Sequence, residues 1–378
     1  MADRVRVGII GVGWWANSVH ARGVLSHPQA ELVALCCRSE DKLRAAGQEL
    51  GVAGLYTDYE ELLDRGDLDA VTISTTHEAH YPVALAALRR GLHVFCEKPL
   101  GLNGQQTDEL VRTAREVGVK TCVAFTNRWV PEAAYARELL HEGACGEVFH
   151  YNACKMASYG GPGSGWMWRA DPELAGGGVL FDLGCHVIDL AQWFLGPVRT
   201  VCAMQKTTVP ERPDAQGRLI PTPVDDATAF VAEFASGIQG VFHVSWTAMG
   251  ARWERSEVAG SEATLILNLD HDNWENSLHL AQPGEAAPTA ISVPEWAQGR
   301  IPRDVNTLER RQAARRAFIE DHPSLVRAFI DAIVNDTEPF PPFEDGHRTQ
   351  LVMDAILVSA RERRWVEVEA DQASPGVI

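Results

Sequence analysis

The chain has 378 residues, of which 46% are hydrophobic and 22% are charged. This length allows about two domains with sizeable cores, and the ordinary glycine, proline and charged fractions exclude a disordered or fibrous protein. The 51 acidic residues outnumber the 34 basic ones, which gives a formal net charge of -17. Such a balance disfavours nucleic acid and anionic membranes as general partners.

The cysteine pattern and the N-terminus predict a cytoplasmic protein. The eight cysteines contain no CxxC pair, which is typical of reduced, mostly buried thiols. The apolar run Val7–Ile10 is short and leads into a glycine turn, so it indicates a first strand and not a signal peptide. We expect no segment with the roughly 18 apolar residues that span a bilayer.

Residues 1–125 alternate between strand and helix patterns, which predicts a doubly wound parallel sheet with helices on both faces. Buried strands of this kind are nearly continuous in apolar residues. The predicted strands are Val5–Ile10, Glu31–Cys37, Ala70–Ser74, His93–Cys96 and Lys120–Phe125. The predicted helices are Trp15–Ser26, Glu40–Leu50, Tyr59–Arg65, Ala79–Arg90 and Gly104–Val117.

Residues 126–378 have a different pattern, which predicts a second, α+β domain with a large, mostly antiparallel open sheet. The alternating strands are Val148–Met156, Ala227–Phe234, Ile238–Trp246, Arg255–Ala259 and Ala263–Asn268. The predicted helices are Glu132–His141, Val179–Leu195, Ser324–Val334 and Gly346–Arg361. The proline-rich stretch Pro210–Pro223 is interpreted as a long surface loop.

A glycine fingerprint, Gly11-x-Gly13-x-x-Ala16, follows the first strand and opens a helix. Gly11 permits a tight turn, Gly13 lets the backbone approach a pyrophosphate, and Ala16 allows close packing of helix on strand. The free N–H groups of the helix start attract phosphate. The alternative is a strand–helix turn without a ligand, but the context favours a dinucleotide-binding Rossmann domain over residues 1–125.

The end of the second predicted strand bears on the choice between NAD and NADP. An acidic residue there accepts a hydrogen bond from the 2′-hydroxyl of NAD. This chain has Cys37 at that place, followed by Arg38 and Ser39, which suit a 2′-phosphate. We predict NADP, and NAD stays possible if Arg38 is a solvated loop residue.

Two further motifs carry candidate catalytic groups. Glu97-Lys98-Pro99 follows a predicted strand, at the sheet edge where ligands bind, and a lysine there can stabilise a substrate alkoxide. Gly176-Gly177-Gly178 precedes an amphipathic helix in which Asp182 and His186 share a face, an arrangement that suits a general base. An exposed lysine, a helix-start aspartate and a structural histidine are the alternatives.

With these motifs in view, the chain resembles the Gfo/Idh/MocA family of glucose-fructose oxidoreductase- and inositol dehydrogenase-like enzymes, from about residue 5 to about residue 365. The matching pieces are Gly11-x-Gly13-x-x-Ala16, His80, Ala84-Leu85, Gly91-x-His93-Val94, Glu97-Lys98-Pro99, Asn127-Arg128, Trp168-Arg169 and Gly176-Gly177-Gly178-x-Leu180-x-Asp182-x-Gly184-x-His186-x-x-Asp189. Thr76-His77 stand where members often have Pro-Asn.

The resemblance implies an NAD(P)-dependent oxidoreductase acting on a secondary hydroxyl or ketone of a sugar, a cyclitol or a derivative. It implies the catalytic residues Lys98, Asp182 and His186, and a cis Lys98–Pro99 peptide bond. The candidate cofactor-binding residues are Gly11, Gly13, Trp14, Trp15, Arg38, Ser39, Thr75, His77, His80, Glu97, Lys98 and Asn127. The candidate substrate-binding residues are Lys98, Arg128, Lys155, Tyr159, Trp168, Arg169, Asp182 and His186. The Gly160–Gly163 stretch is expected to be a mobile loop.

Other functions stay open at this stage. A non-redox enzyme of the same fold, glycosidase- or lyase-like with a retained nicotinamide, is one alternative, and a non-catalytic protein that binds cofactor or sugar is another. His77-Glu78-Ala79-His80 lacks the HExxH spacing, so we expect no metal. The spacing of Tyr151 and Lys155 is that of short-chain dehydrogenases, but their segment alternates like a strand. By analogy with the family, we expect a homodimer or homotetramer.

Overall fold

The computed structural model describes residues 4–270, 275–294 and 323–369. The chain forms two compact units. Unit 1 contains Met1–Thr126, Phe318–Gln350 and Asp371–Ile378, and unit 2 contains Asn127–Ala317 and Leu351–Ala370. The sequence-based boundary at residue 125 divides the chain once, whereas the structure groups the segment around residues 323–350 with the N-terminal sheet.

Unit 1 is built on a parallel sheet. Its strands are β1 (Val5–Ile10), β2 (Ala30–Cys36), β3 (Gly54–Tyr56), β4 (Ala70–Ile73), β5 (His93–Cys96) and β6 (Thr121–Val123). They lie in the order β3-β2-β1-β4-β5-β6, and every pair is parallel. The doubly wound Rossmann-like sheet predicted from the sequence is confirmed, with the short β3 as an added strand.

Helices cover this sheet because its central strands are apolar on both faces; β4 is buried at all four positions. The helices are α1 (Arg22–Leu25), α2 (Glu40–Leu50), α3 (Tyr59–Leu63), α4 (His77–Arg89) and α5 (Gly104–Val117). A π-helical turn, Ala16–Ala21, precedes α1. The carboxyl ends of β1, β2, β4 and β5 therefore lead directly into the candidate cofactor and lysine motifs.

Two later helices complete the polypeptide of unit 1. They are α9 (Pro323–Val334) and α10 (Phe343–Glu362), and helices α6–α8 lie between α5 and α9 in the chain, in unit 2. Helix α9 packs on α1, β1 and β5, with the Phe95 and Phe329 rings 5.8 Å apart. His27 Nε2 lies 2.9 Å from Asp331 Oδ1. This packing explains why the segment after residue 322 belongs with the N-terminal sheet; α10 begins in unit 1 and ends in unit 2.

Unit 2 contains a large mixed sheet, as the sequence predicts. Its strands are β7 (Val148–Met156), β8 (Val198–Lys206), β11 (Ala227–Phe234), β12 (Gln239–Ser245), β13 (Trp253–Gly260), β14 (Thr264–Leu269), β15 (Ser277–Ala281), β16 (Thr289–Ile291) and β17 (Val366–Glu367). The order is β16-β15-β14-β13-β7-β12-β11-β8-β17. Only β7 and β12 pair in parallel among the described strands of this sheet.

One face of this sheet holds the core of unit 2. The helices of the unit are α6 (Pro131–His141), α7 (Pro172–Ala175) and α8 (Cys185–Leu195), and a π-helical turn, Leu180–Gly184, leads into α8. This turn packs on β11 and β12, and α8 packs on β7. The core includes Phe230 and Phe242, whose rings stack 4.3 Å apart. The candidate residues Asp182 and His186 thus stand on a helix fixed against the sheet.

The segment Pro172–Leu195 is long and apolar enough to cross a membrane by length and composition alone, which the sequence analysis did not anticipate. In its apolar 18-residue window, 83% is buried inside the fold. Burial of this degree is typical of a core helix, and a single such helix is weak evidence for a membrane span.

The proline-rich stretch Pro210–Pro223 was interpreted as a surface loop, and this interpretation is wrong. It contains a two-stranded hairpin, β9 (Glu211–Pro213) and β10 (Leu219–Pro221), and Arg212 at its centre is buried. Proline is compatible with such a hairpin because each of its strands is an edge strand.

The other face of the large sheet carries exposed apolar side chains. Met204 on β8, Val231 on β11 and Val241 on β12 are 69%, 38% and 52% exposed. Cys202 and Val231 are register partners, as are Val231 and Val241, so Cys202, Val231 and Val241 form a row across three strands, with Met204 two residues along β8 on the same face. The open face predicted for the second domain is present in unit 2.

Candidate functional site

The glycine turn after β1 has the geometry that a dinucleotide needs. Gly11 has φ +96°, and a Cβ there would lie 2.2 Å from the carbonyl oxygen of Ser74, so only glycine fits. At Gly13 a Cβ would meet no atom within 4 Å, so the backbone is open to a ligand. The residues present therefore fit a pyrophosphate at this turn.

The two tryptophans after Gly13 have different environments. Trp14 is 58% exposed, and its ring lies 5.9 Å from the ring of Trp15. The Trp15 indole Nε1 donates a hydrogen bond to Glu97 Oε1 at 2.7 Å. Trp14 is thus available to a ligand, whereas Trp15 connects the glycine turn to the lysine motif.

At the end of β2, Arg38 is exposed and Ser39 stands in extended conformation at the N-cap of α2. Burial, followed by the neighbouring Cys37, Asp58 and Glu61, raises the pKa of Cys36 to about 12, so this thiol stays neutral. Cys36 therefore adds no charge at this strand end, where Arg38 contributes an exposed guanidinium.

The segment after β4 contains the candidate cofactor residues Thr75, His77 and His80. The Thr75 hydroxyl donates to the Thr76 carbonyl at 3.2 Å, and His77 is the buried first residue of α4. His80 Nδ1 lies 2.7 Å from the Pro99 carbonyl oxygen. Lys98–Pro99 is a cis peptide bond, as the resemblance implies. His80 thus holds the main chain immediately after Lys98.

Glu97, beside Lys98, is held from a second direction. Its Oε1 accepts the Trp15 indole N–H and lies 3.1 Å from Nε2 of His20, which is fully buried. Burial alone would raise the pKa of Glu97, but the contacts with His20, Lys98 and Trp15 outweigh it and lower the pKa below its ordinary value. Glu97 is therefore a carboxylate that fixes the residue preceding the lysine.

In unit 2, the three consecutive glycines begin the helix that carries Asp182. A Cβ on Gly178 would lie 1.8 Å from the Asp225 carbonyl oxygen, and one on Gly177 would lie 2.5 Å from the Phe181 ring. The Asp225 carboxylate accepts hydrogen bonds from the N–H groups of Gly178 and Leu180, at 2.8 and 3.0 Å. Asp225 thus caps the helix start, and the glycines permit the close approach.

Asp182 is buried at 6% exposure and accepts hydrogen bonds from two candidate substrate residues. The Tyr159 hydroxyl donates to Oδ2, and Arg169 Nε donates to Oδ1 at 3.0 Å. The Arg169 guanidinium also lies 4.4 Å from the Trp168 ring centroid. Although Tyr159 is 42% exposed as a residue, desolvation of its hydroxyl and then the neighbouring Asp182 raise its pKa well above the ordinary value, so the phenol remains a donor. We call Tyr159, Trp168, Arg169 and Asp182 the Asp182 cluster.

His186 is also buried, on the first turn of α8. The orientation of its ring by Asp182 stays a prediction. Asp189, the next acid of the motif, is bound elsewhere, because Arg128 donates to both of its oxygens at 2.6 and 2.9 Å. This bidentate pair is buried on both sides, so Arg128 in unit 2 fixes α8.

Lys155 and Asn127 converge on one buried carboxylate that the sequence analysis did not identify. Lys155 Nζ lies 2.6 Å from Glu254 Oε2, and Asn127 Nδ2 donates to both Glu254 oxygens at 2.9 and 3.0 Å. Lys155 on β7 is the register partner of Glu254 on β13. This geometry gives both residues a structural partner inside unit 2.

Three residues of these clusters were not predicted from the sequence: His20, Asp225 and Glu254. Their partners lie 77, 47 and 127 positions away in the chain, so no local spacing indicates them. A signal exists for Asp225 alone, since three glycines at a helix start imply a close backbone neighbour. In the described part of the chain, no group of three or more His, Cys, Asp or Glu side chains is arranged to hold a metal ion.

Two family models match the chain. The model described as an oxidoreductase family with an NAD-binding Rossmann fold matches residues 5–125. The model described as the GFO/IDH/MocA C-terminal domain matches residues 133–266. The first covers the glycine turn and Lys98, and the second covers the Asp182 cluster.

Individual proteins match over nearly the whole chain. Levoglucosan dehydrogenase of Pseudarthrobacter phenanthrenivorans is 28% identical over 94% of this chain and 91% of its own. Myo-inositol 2-dehydrogenase of Thermotoga maritima is 26% identical over 97% and 99%. A solved structure of levoglucosan dehydrogenase with NADH superposes with a TM-score of 0.86 at 25% identity, covering 97% of this chain and 100% of that one.

Glu97→Gln is expected to weaken the fold in a pH-dependent way. The pKa of Glu97 is lower in the folded protein than its ordinary value of 4.5. The ionised carboxylate therefore contributes stability that is fully present above pH 4.5 and is lost as the pH falls through the pKa of the folded state. We expect the variant to lose about 1–3 kcal/mol of unfolding free energy at pH 7 and the difference to shrink below pH 4.5. Urea unfolding across this range, with the exposed Glu116→Gln as control, measures it; a pH-independent difference would contradict it.

Gly178→Ala is expected to displace the start of the helix that carries Asp182. The new Cβ would lie 1.8 Å from a backbone oxygen, so the segment must move and lose the Asp225 cap. We expect a loss of about 1–3 kcal/mol in unfolding free energy. Gly165→Ala is the matched control, because its Cβ would meet nothing closer than 3.7 Å. Equal unfolding free energies for the two variants would show that the close approach is unimportant.

Proposed function

The chain belongs to the Gfo/Idh/MocA family of oxidoreductases, and from this membership we propose that it moves a hydride between a nicotinamide cofactor and a secondary hydroxyl or ketone of a sugar or cyclitol. The position of Lys98 carries the proposal. It follows the carboxyl end of β5, the edge of a parallel sheet where ligands bind, and Glu97 and His80 fix the chain on both sides of it.

The residues of unit 1 that would hold the cofactor are those of the glycine turn and the segment after β4. Gly11 and Gly13 suit the pyrophosphate, and Thr75 and His77 lie at the next strand end. A bound nicotinamide supplies the acceptor for the hydride in oxidation and the donor in reduction.

Lys98 and His186 are the groups that we assign to the hydroxyl proton. The Lys98 ammonium donates a hydrogen bond to the reacting oxygen and stabilises the negative charge that develops on it. His186 takes the proton during oxidation and returns it during reduction, since imidazole changes charge near neutral pH. Asp182 is an acceptor that holds Tyr159 and Arg169 and so shapes the polar surroundings of the substrate.

The Asp182 cluster supports a carbohydrate or cyclitol substrate. It combines the aromatic face of Trp168 with the polar groups of Tyr159 and Arg169, which suits a ligand with apolar ring faces and hydroxyl edges. The names of similar proteins, levoglucosan dehydrogenase and myo-inositol 2-dehydrogenase, refer to compounds of this kind. We assign the same class of substrate to this chain.

We also propose that Arg38 and Ser39 select NADP. Arg38 is exposed at the end of β2, where a bidentate guanidinium can pair with a 2′-phosphate. The structural neighbour was solved with NADH, so the NAD alternative has direct support among relatives. The two cofactors differ at the 2′ position, so Arg38 is the residue that decides between them.

We infer a homo-oligomer located in the cytoplasm. The exposed side chains of Met204, Val231 and Val241 lie on the open face of the unit 2 sheet, and burying them against a second copy would remove apolar surface from water. All eight cysteines are free, as expected in a reducing compartment.

Lys98→Ala is expected to reduce kcat by about 10²–10³-fold, because it removes the group that stabilises charge on the reacting oxygen. Cofactor binding, followed by nicotinamide fluorescence, should be retained. The matched control is Lys42→Ala, an exposed lysine of the same unit on α2. Turnover of a panel of sugars and cyclitols measures the effect, and full activity in Lys98→Ala would remove the lysine from the mechanism.

Arg38→Ala is expected to weaken NADPH binding by about tenfold or more and to leave NADH binding unchanged, since a charge-assisted hydrogen bond contributes about 1.5–3 kcal/mol. Parallel fluorescence titrations with both cofactors measure this. Arg44→Ala is the control, because Arg44 is an exposed α2 residue paired with Glu40 and Asp41. Preference of the unaltered protein for NADH would contradict the assignment.

A further inference from the structure

A loop that we call the strap, residues 158–166, carries Tyr159 to Asp182 in unit 2. The sequence predicts that its glycines make it mobile, but the structure attaches it at several points. The Gly160 N–H donates to the Trp246 carbonyl oxygen at 3.0 Å, and the Trp166 N–H donates to the Pro213 carbonyl oxygen at 2.8 Å. The strap is thus bound both to the end of β12 and to the β9–β10 hairpin.

Arg212 is the central attachment. It stands on β9, is 1% exposed, and its Nη2 donates to the Gly160 carbonyl oxygen at 2.7 Å. Its Nη1 donates to the Ser164 hydroxyl. One guanidinium therefore holds two points of the strap, four residues apart, one of them adjacent to Tyr159.

The glycines of the strap permit this arrangement. A Cβ on Gly160 would lie 2.4 Å from the Trp246 ring, and one on Gly161 would lie 2.2 Å from Met249 Sδ. The Tyr159 ring lies 5.9 Å from the same Trp246 ring. The strap is therefore compressed between Arg212 and a buried tryptophan, with Tyr159 at its start.

Burial of this arginine has a free-energy cost that its position must offset. Burial lowers the pKa of Arg212, against the attraction of Asp226. Its Nε has no hydrogen-bond partner among the described residues. A buried guanidinium with incomplete pairing is expensive for stability alone. Its hydrogen bonds go to the segment that carries Tyr159 to Asp182, which indicates a role in placing that contact.

We propose that Arg212 is a positioning residue for the reaction, which holds the strap so that the Tyr159 hydroxyl meets Asp182. The proposal rests on the proposed function, because it takes Asp182 as part of the catalytic machinery. The β9–β10 hairpin then determines the geometry of the Asp182 cluster, although Arg212 itself touches neither substrate nor cofactor.

The decisive variant is Arg212→Lys, which keeps a positive charge but loses the two-pronged hydrogen bonding. Since a misplacement of about 1 Å costs about 10²-fold in rate, we expect kcat to fall by about 10–100-fold while the Kd for cofactor, which tests unit 1, stays within about twofold. Arg218→Lys is the matched control, because Arg218 is 77% exposed on the same hairpin and pairs with Asp214.

A double-mutant cycle of Arg212→Lys with Tyr159→Phe tests whether Arg212 affects the reaction through Tyr159. If Arg212 acts through Tyr159, the double variant loses no more rate than the more damaging single variant. Rate losses that multiply would overturn the proposal, as would wild-type kcat in Arg212→Lys. Ser164→Ala removes one contact only and decides the question if Arg212→Lys fails to fold; we expect a smaller loss that is again non-additive with Tyr159→Phe.

Ultraviolet titration of tyrosine gives a readout that needs no turnover. The raised pKa of Tyr159 depends on desolvation of its hydroxyl and on the hydrogen bond that this hydroxyl donates to Asp182. We therefore expect one tyrosine to ionise at lower pH in Arg212→Lys, and this change to be absent in Arg212→Lys/Tyr159→Phe. An unchanged titration would overturn the proposal. The two proposals can fail separately. If the tyrosine titration changes as expected but Lys98→Ala is fully active, only the proposed function is overturned.

Discussion

The close approach of Gly178 to Asp225 is the constraint on which the candidate catalytic part of unit 2 depends. The backbone of one segment passes where a side chain would otherwise stand, and the Asp225 carboxylate binds two N–H groups of the helix start. Burial raises the pKa of Asp225, against the hydrogen bonds from Thr228, Gly178 and Leu180 that favour its charged form. Asp182 and His186 follow within the next turns, so their positions derive from this cap.

In unit 1, a different set of interactions fixes the main chain around the candidate catalytic residue Lys98. Lys98 lies in a strand-end loop, which by itself would leave a long side chain poorly placed. The carboxylate of Glu97 is bound by Trp15 and His20, and His80 binds the carbonyl of Pro99. Both donors to Glu97 come from the segment that begins at the glycine turn, so the cofactor motif and the lysine motif are connected by hydrogen bonds within one unit. These contacts fix the main chain on both sides of Lys98, from which its side chain extends.

The sequence predicted what local periodicity controls. The strands β1, β5, β7 and β11 and the helices α2 and α5 were predicted with the bounds that the structure has, because apolar spacing and glycine caps determine them. The parallel sheet was predicted as an architecture, but the ends of β2, β4 and β6 differ by one or two residues and β3 was missed. The β9–β10 hairpin was missed because its prolines resemble those of a loop. Proline interrupts only the interior of a sheet, and a two-stranded hairpin has no interior strand.

The candidate site was predictable by residue type but not by partner. The sequence identified Asp182, Tyr159 and Arg169 separately and assigned Asp182 to His186 by helical spacing. The orientation of His186 by Asp182 stays a prediction, but two hydrogen bonds to Asp182 come from residues 13 and 23 positions earlier in the chain. Long-range partners of this kind depend on the fold as a whole, so a single sequence contains no local signal for them.

Three buried cations of unit 2 share one arrangement, in which each binds a partner on another element of the unit. Arg128 pairs with Asp189, Lys155 pairs with Glu254, and Arg212 binds the strap. Replacing such groups by apolar ones is often neutral or favourable for stability, so stability alone does not account for them. Each of them instead fixes one element of unit 2, namely α8, β13 or the strap, since hydrogen bonds are directional and apolar contacts are not. A reaction needs such fixed directions, because a misplacement of about 1 Å at the reacting groups costs about 10²-fold in rate.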